Sequence, residues 1–251
     1  MMYKKTIPSQ DKSAEYLNRT ALLHSRSIIC TGHSKGGNLA VYAASKCVDI
    51  VKKRIRRVYN FDGPGFKRDF YQDKGYEDIR NKITTIVPRS SVIGLLFGAT
   101  ANCRAVQSDG AGLDQHSMFN WHFMQGRLMY AEQISKDALV FNKILDDWIK
   151  MISFDDRKRL VNTLYYAAAK SKAVSLNDIK NYWPDPAAFL KEVLPCMNKD
   201  TKDFLKSMLN KFLDCAKLRL KDGITGELTE SVEKLRLKIM KEDASCTPHS
   251  I

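Results

Sequence analysis

The stretch Ser27-Ile28-Ile29-Cys30-Thr31-Gly32-His33-Ser34-Lys35-Gly36-Gly37-Asn38-Leu39-Ala40-Val41-Tyr42-Ala43-Ala44 reads as three elements in immediate succession. Ser27 to Thr31 is a short apolar run with the length of a buried strand, and Asn38 to Ala44 is an alanine-rich run with helical length. Between them the glycines make a tight turn that carries Ser34. Gly32 and Gly36 flank the serine at G-x-S-x-G spacing, and side chains at these two positions are expected to collide where strand and helix cross. A serine hydroxyl becomes a useful nucleophile when such a turn holds it clear of its own backbone, with a base in reach and an N–H ready for the oxyanion. Lys35, at the helix start, is the expected source of one such N–H, and the helix dipole there favours negative charge. A phosphate-binding loop is excluded, because Lys35 precedes the glycine pair and no G-x-x-x-x-G-K-[ST] spacing exists.

Working outward, residues 9 to 25 read as a helix, with Ser9 or Asp11 as its cap and Tyr16, Ala21 and Leu22 on a partly apolar face. Arg56 to Phe61 is the next expected strand, ending in the turn-rich Asp62-Gly63-Pro64-Gly65-Phe66. Lys82 to Val87 is β-branched and stops at Pro88. Cys103 to Ser108 is a fourth candidate strand and Asn120 to Met124 a weaker fifth. The alternation of α and β signals predicts a mostly parallel sheet flanked by helices. From about Ser135 the pattern is helical only, over 136–151, 154–170, 186–194, 199–221 and 229–242. Ser153 with Asp156 makes a capping-box-like start, and Gly223 and Gly226 separate the last two helices. The expected division is an α/β core over residues 1–134 and an all-helical C-terminal extension over 135–251, without a fixed-period repeat.

Composition excludes several classes. The chain has 251 residues, 44% hydrophobic and 27% charged, which is globular rather than disordered usage. No stretch approaches the ~18 consecutive apolar residues of a membrane span, and the opening MMYKKTIPSQDKSAEYL has no apolar signal core, so a cytoplasmic location is expected. The six cysteines lie far apart with no CxxC pair, so reduced thiols are expected in place of a disulfide frame or zinc site. The net charge of +13 is spread along helical segments such as Lys52, Lys53, Arg54, Arg56 and Arg57 with no nucleic-acid motif beside it, which reads as a solvated basic surface.

Five histidines could act as the base: His24, His33, His116, His122 and His249. In the α/β-hydrolase arrangement the chain order is nucleophile, acid, histidine, which leaves His116 and His122, with His249 in a terminal tail. His116 follows Gly110 and Gly112 in a loop, where catalytic side chains are usually carried, whereas His122 lies in the aromatic run Trp121-His122-Phe123 and reads as a packed residue. His116 is therefore the favoured base. For the acid, Asp62 ends an expected strand at the edge where such sheets bind ligands, although an aspartate before Gly-Pro commonly closes an Asx turn through its own backbone. Asp109 and Asp114 are nearer His116 in sequence and compete with it.

The blocks GHSKGGNLAVYAA, VYNFDGPGF, VPRSSVIGLLF and QHSMFNW, taken in order, resemble the bacterial Mbeg-like domain-of-unknown-function family, a relative of the class 3 lipases. The resemblance covers residues 27 to about 150. It implies a partial α/β-hydrolase fold with Ser34 at the nucleophile position and His116 at the histidine position, and it implies no substrate. Class 3 lipases place their acid just before the proline that follows the next strand. Here that stretch is Thr85-Ile86-Val87-Pro88-Arg89, without a carboxylate, so Asp62 or a loop aspartate must substitute or the triad is incomplete. Only 26 residues precede the nucleophile strand, so the chain is expected to be N-terminally short, with an open sheet edge that helix 9–25 or another chain would cover.

Two functions are expected from these residues. The first is a serine hydrolase of esterase or lipase type, in which Ser34 attacks, His116 carries the proton, Asp62 orients the imidazole and the Lys35 N–H holds the oxyanion. Its substrate is a small-molecule or lipid ester, and neither cofactor nor metal is called for. The alternative is an inactive hydrolase-fold module that binds a protein or an anionic membrane face; nucleic acid is not an expected partner.

Overall fold

The computed structural model describes residues 6–98, 101–110, 112–170 and 197–220. The chain divides into two compact units, 1–142 and 143–251. The first is built on a parallel four-stranded sheet in the order β1 (Ile28–His33), β2 (Ile55–Phe61), β3 (Ile83–Pro88), β4 (Cys103–Val106). Register is continuous across the C-terminal ends, with His33 opposite Phe61, Phe61 opposite Ile86 and Pro88 opposite Val106. Pro88 is thus the last residue of β3, where the hydrogen bond it cannot donate is not required, and Arg89 N–H bonds to Val106 O instead.

Each parallel connection crosses one face of the sheet. Helix α1 (Pro8–Leu22) packs on α2 (Lys35–Lys46), and α3 (Asp49–Arg54) leads directly into β2. Val41, Ala44, Val51, Ile55, Val58, Ile79 and Ile83 fill this layer as one apolar cluster. Each fully buried aliphatic side chain contributes about 1.5–3 kcal/mol of transfer free energy, so this layer holds the turn between β1 and α2 rigid. The opposite face carries a smaller cluster of Ile86, Val106 and Trp121, with Phe61, Met118 and Leu128 against it. Short helices α4 (Arg68–Tyr71) and α5 (Lys74–Glu77) complete the β2–β3 crossover.

Several expectations need correction. Helix α1 starts at Pro8, so neither Ser9 nor Asp11 caps it: Ile7 is the cap, its N–H donating to Gln10 Oε1, while Asp11 accepts from Tyr42 Oη. The buried side of α1 is Gln10, Ala14 and Ala21, whereas Tyr16 and Leu22 are exposed. Asn120 to Met124 is not a strand of the main sheet. Phe123–Met124 (β5) pairs antiparallel with Arg127–Leu128 (β6) through a two-residue turn in which Gln125 and Gly126 both have positive φ, as a primed hairpin turn requires. The chain after this hairpin lies along β4, with Gln107 N–H bonding to Met129 O and Ala131 N–H to Ala105 O. Helix α1 packs on α2 rather than along β1, and Ile29 and Thr31 on that edge strand are exposed.

After the hairpin, α6 (Lys136–Met151), which begins in the first unit and ends in the second, and α7 (Phe154–Lys170) and α8 (Lys199–Leu220) of the second unit occupy segments read as helices, while 186–194 and 229–242 lie outside the described residues. Ser153 Oγ accepts the Asp156 N–H and starts α7, as its spacing predicts. Trp148 meets Phe212 edge-on and donates its indole N–H to Met208 O. The units divide at Asn142 rather than near 134, because the start of α6 is tied to the sheet unit: Ser135 N–H bonds to Arg89 O, and Asn142 Nδ2 bonds to Ser91 O. Among the described residues no helix is long and apolar enough to cross a membrane.

Candidate active site

The turn between β1 and α2 forces Ser34 to φ 55° and ψ −127°, a conformation that favours glycine and that costs a residue with a Cβ about 1–3 kcal/mol. Its backbone is fixed on both sides: Ser34 N–H donates to Phe61 O at 2.8 Å, and Ser34 O accepts from the N–H groups of Gly37 and Asn38. The glycines divide their work differently from the expectation. A Cβ on Gly32 would lie 2.3 Å from the Gly36 backbone, and one on Gly37 2.0 Å from Asn60 Oδ1, yet one on Gly36 would meet nothing within 4 Å. The glycines without room are therefore Gly32 and Gly37. Gly36 supplies backbone for Gly32 to pack on.

Residue 62 follows Phe61, whose carbonyl holds Ser34, so Asp62 sits beside the turn at the end of the adjacent strand. It does not close the Gly-Pro turn. Asn60 does this, accepting the Gly63 N–H at Oδ1 and donating Nδ2 to Gly63 O. The Asp62 carboxylate is left for longer-range partners and is fully buried, at 0% exposure. Its Oδ2 lies 2.6 Å from His116 Nδ1, and its Oδ1 accepts Ser91 Oγ–H at 2.6 Å and Gly94 N–H at 3.0 Å. With Nδ1 committed to Asp62, Nε2 is the His116 ring nitrogen left for proton exchange.

The loop that carries His116 is pinned at several points. Gln115 accepts Ser90 N–H at Oε1 and donates Nε2 to Gly110 O, while Trp121 donates its indole N–H to Gln115 O. His33, the residue before the nucleophile, donates Nε2–H to His116 O at 2.7 Å, and the two imidazoles lie 4.6 Å apart. Burial holds the His33 imidazole below its ordinary pKa, opposed by that hydrogen bond. These contacts bring residues 33 and 116 together across 83 positions of sequence.

The competing candidates are paired elsewhere. His122 Nε2 lies 2.7 Å from Asp109 Oδ1, both side chains being exposed, so His122 is not the packed residue its aromatic neighbours suggest. Asp114 uses its backbone carbonyl to accept Asn120 Nδ2, and His249 lies outside the described residues. Thr85, in the stretch before Pro88 that holds no carboxylate, is fully buried within β3. Lys35 begins α2 as expected, with its ammonium 3.3 Å from Asn38 Oδ1 and held below its usual pKa by burial. The cysteines Cys30, Cys47, Cys103 and Cys215 form no disulfide, and burial pushes Cys30 and Cys103 up to about 11, which leaves them as inert thiols at neutral pH.

Sequence reasoning missed Asn60, Ser91, Gly94 and Gln115, and set His33 aside as a base on chain order without finding its bond to His116. For Ser91 and Gly94 the only local signal is a serine three residues before a glycine, just after a strand that ends at proline. No curated protein and no solved structure matches the chain. A model of the Mbeg1-like family matches residues 1–166, which covers the whole sheet unit and reaches into α7. With two thirds of its length matched, the chain belongs to the Mbeg1-like family.

Proposed function

We propose that this protein is a serine hydrolase with an α/β-hydrolase type of site, acting on an ester or lipid acyl bond. The observation that carries the reading is the strained Ser34 at the β1–α2 turn, together with the buried Asp62 at the end of the neighbouring strand and its bond to the partly exposed His116. In the reaction, Ser34 Oγ attacks the acyl carbon while His116 Nε2 takes its proton, and the Lys35 N–H supports the oxyanion. Collapse of the tetrahedral intermediate breaks the ester bond, and His116 returns the proton to the departing alkoxide. Water, activated by the same imidazole, then releases the acyl group from Ser34. Asp62 keeps His116 in the tautomer with Nε2 unprotonated and stabilises the imidazolium that forms in each half. No cofactor enters these steps.

An apolar acyl substrate suits the exposed apolar side chains that follow His116 in sequence. Phe119 is fully exposed, and Phe123 and Met124 are exposed at the hairpin. Hydrolysis of p-nitrophenyl esters of increasing chain length tests the proposal. Turnover that rises with chain length and is lost in Ser34→Ala and in His116→Ala is the expected result. A folded wild type without turnover on any of these esters, but with Ser34-independent binding to anionic vesicles, would replace the enzyme by a membrane-binding module.

A further inference from the structure

The stretch after β3 contains no carboxylate, yet it reaches the buried acid of the neighbouring strand end. Ser91 is 1% exposed, and its hydroxyl lies 2.6 Å from Asp62 Oδ1 across 29 positions of sequence. Its backbone is set by a turn, with Ser91 N–H bonding to Pro88 O. Three residues on, Gly94 N–H lies 3.0 Å from both Asp62 Oδ1 and Ser91 Oγ. Gly94 has no room for a side chain, since a Cβ there would fall 2.2 Å from Asp62 Oδ1 and 2.6 Å from Val87 Cγ1. Ser91-Val92-Ile93-Gly94 therefore forms a cradle around one oxygen of a carboxylate that belongs to another strand.

We infer that Ser91 is a positioning residue: its hydroxyl, with the Gly94 N–H, saturates Asp62 Oδ1 and so presents Oδ2 to His116 Nδ1. A buried carboxylate without these donors can rotate or draw in water, and either response loosens the 2.6 Å contact to His116. The two oxygens have separate tasks. Oδ1 is held by the turn after β3 and Oδ2 holds the imidazole, so that turn contributes a hydroxyl donor. This assignment deepens the serine-hydrolase reading and rests on it for its kinetic consequence, whereas its structural core is the Asp62–His116 hydrogen bond alone.

The test uses the full chain and the variants Ser91→Ala, Ser91→Cys and Ser91→Thr, with two readouts. The first is the low-field proton NMR resonance of His116 Nδ1–H, identified by its loss in His116→Ala. The second is the rate of labelling by a fluorophosphonate. Ser91→Ala is expected to move and broaden the resonance and to slow labelling by about tenfold or more, the size of one hydrogen bond to a charged acceptor. Ser91→Cys, similar in volume but a weak donor, should follow Ser91→Ala, and Ser91→Thr, which keeps the hydroxyl, should restore both signals. An unmoved resonance in folded Ser91→Ala overturns the inference, and so does a set of variants whose effects follow side-chain volume. If wild type is not labelled at all, the serine-hydrolase reading fails, while the resonance still decides whether Ser91 holds Asp62.

Discussion

The two units bury different chemistry. Among the described residues, the polar side chains shielded from solvent, Gln10, Asn38, Ser45, Asn60, Asp62, Thr85, Ser91 and Gln115, all belong to the sheet unit. The buried positions of the helical unit are apolar, among them Ile144, Ile152, Leu160, Phe204, Met208 and Leu213. Burying a polar group costs stability unless each partner is in place, so a protein that needed only a packed core would avoid the first arrangement. Part of this polar interior fixes the backbone beside Asp62 and His116: Asn60 closes the turn after Asp62, and Gln115 holds the loop of His116. The helical unit uses the cheaper solution of amphipathic faces joined by peripheral pairs such as Arg219 with Asp147 and Arg159 with Asp200. Precision is concentrated where the proposed chemistry lies.

The sharpest way to break this contrast is to fill the space at the turn. Gly32→Ala and Gly37→Ala place a Cβ about one bond length too close to neighbouring atoms and should each cost more than about 3 kcal/mol, enough to unfold the sheet unit in urea titrations. Gly36→Ala has open space and should be neutral or stabilising by up to about 1 kcal/mol. Equal damage at all three positions would mean that the close approach is wrongly placed.

The next largest effect is on reactivity. Asp62→Asn is expected to slow fluorophosphonate labelling by about a thousandfold or more, because the imidazole loses the partner that fixes its tautomer. Asp109→Asn, which disturbs only the exposed pair with His122, should leave labelling unchanged. A reversed order would move the acid to the hairpin side. In the helical unit, Trp148→Phe removes the bond to Met208 O and should lower stability by about 1 kcal/mol while labelling stays at the wild-type rate. A loss of labelling there would show that the two interiors are not independent in function.

The smallest expected effect is a pH dependence at His33. Its pKa is lowered in the folded protein, so the unfolded chain takes up a proton first as pH falls. The contribution to stability is complete above the ordinary value of 6.5 and is lost as pH drops from there toward the lowered folded value. Thermal melts between neutral pH and pH 5 should show this decline, and His33→Gln should flatten it; an identical decline in the variant would assign it to other groups.

Much of this architecture is legible in local sequence, and the failures share one cause. The β1–turn–α2 unit follows from glycine spacing between an apolar strand and an alanine-rich helix, and the starts of α6 and α7 from periodicity and a serine cap. Strand-end position favours Asp62 without excluding Asp109 or Asp114, and loop position favours His116 over the His122 that chain order also allows; only the fold brings Asp62 and His116 together. Asn120 to Met124 misleads because aromatic β-propensity does not say which sheet, or which hairpin, will receive the strand. Gly36 and Gly37 cannot be told apart from spacing, since only the packed neighbour, Asn60, reveals which one lacks room. The Asx-turn role was open to Asp62 and fell to Asn60, two residues earlier. Ser91 stays silent because its partner is 29 residues away and nothing local marks a buried donor.

The proposed chemistry requires that the β1–α2 turn, with the Asp62–His116 pair beside it, activates Ser34. The most direct measurement is peptide mass spectrometry of the full chain after reaction with a fluorophosphonate. A single phosphonyl adduct on Ser34 in wild type, and none in His116→Ala under the same conditions, is the expected result. An adduct on another residue, or one on Ser34 that forms equally well without His116, would contradict it.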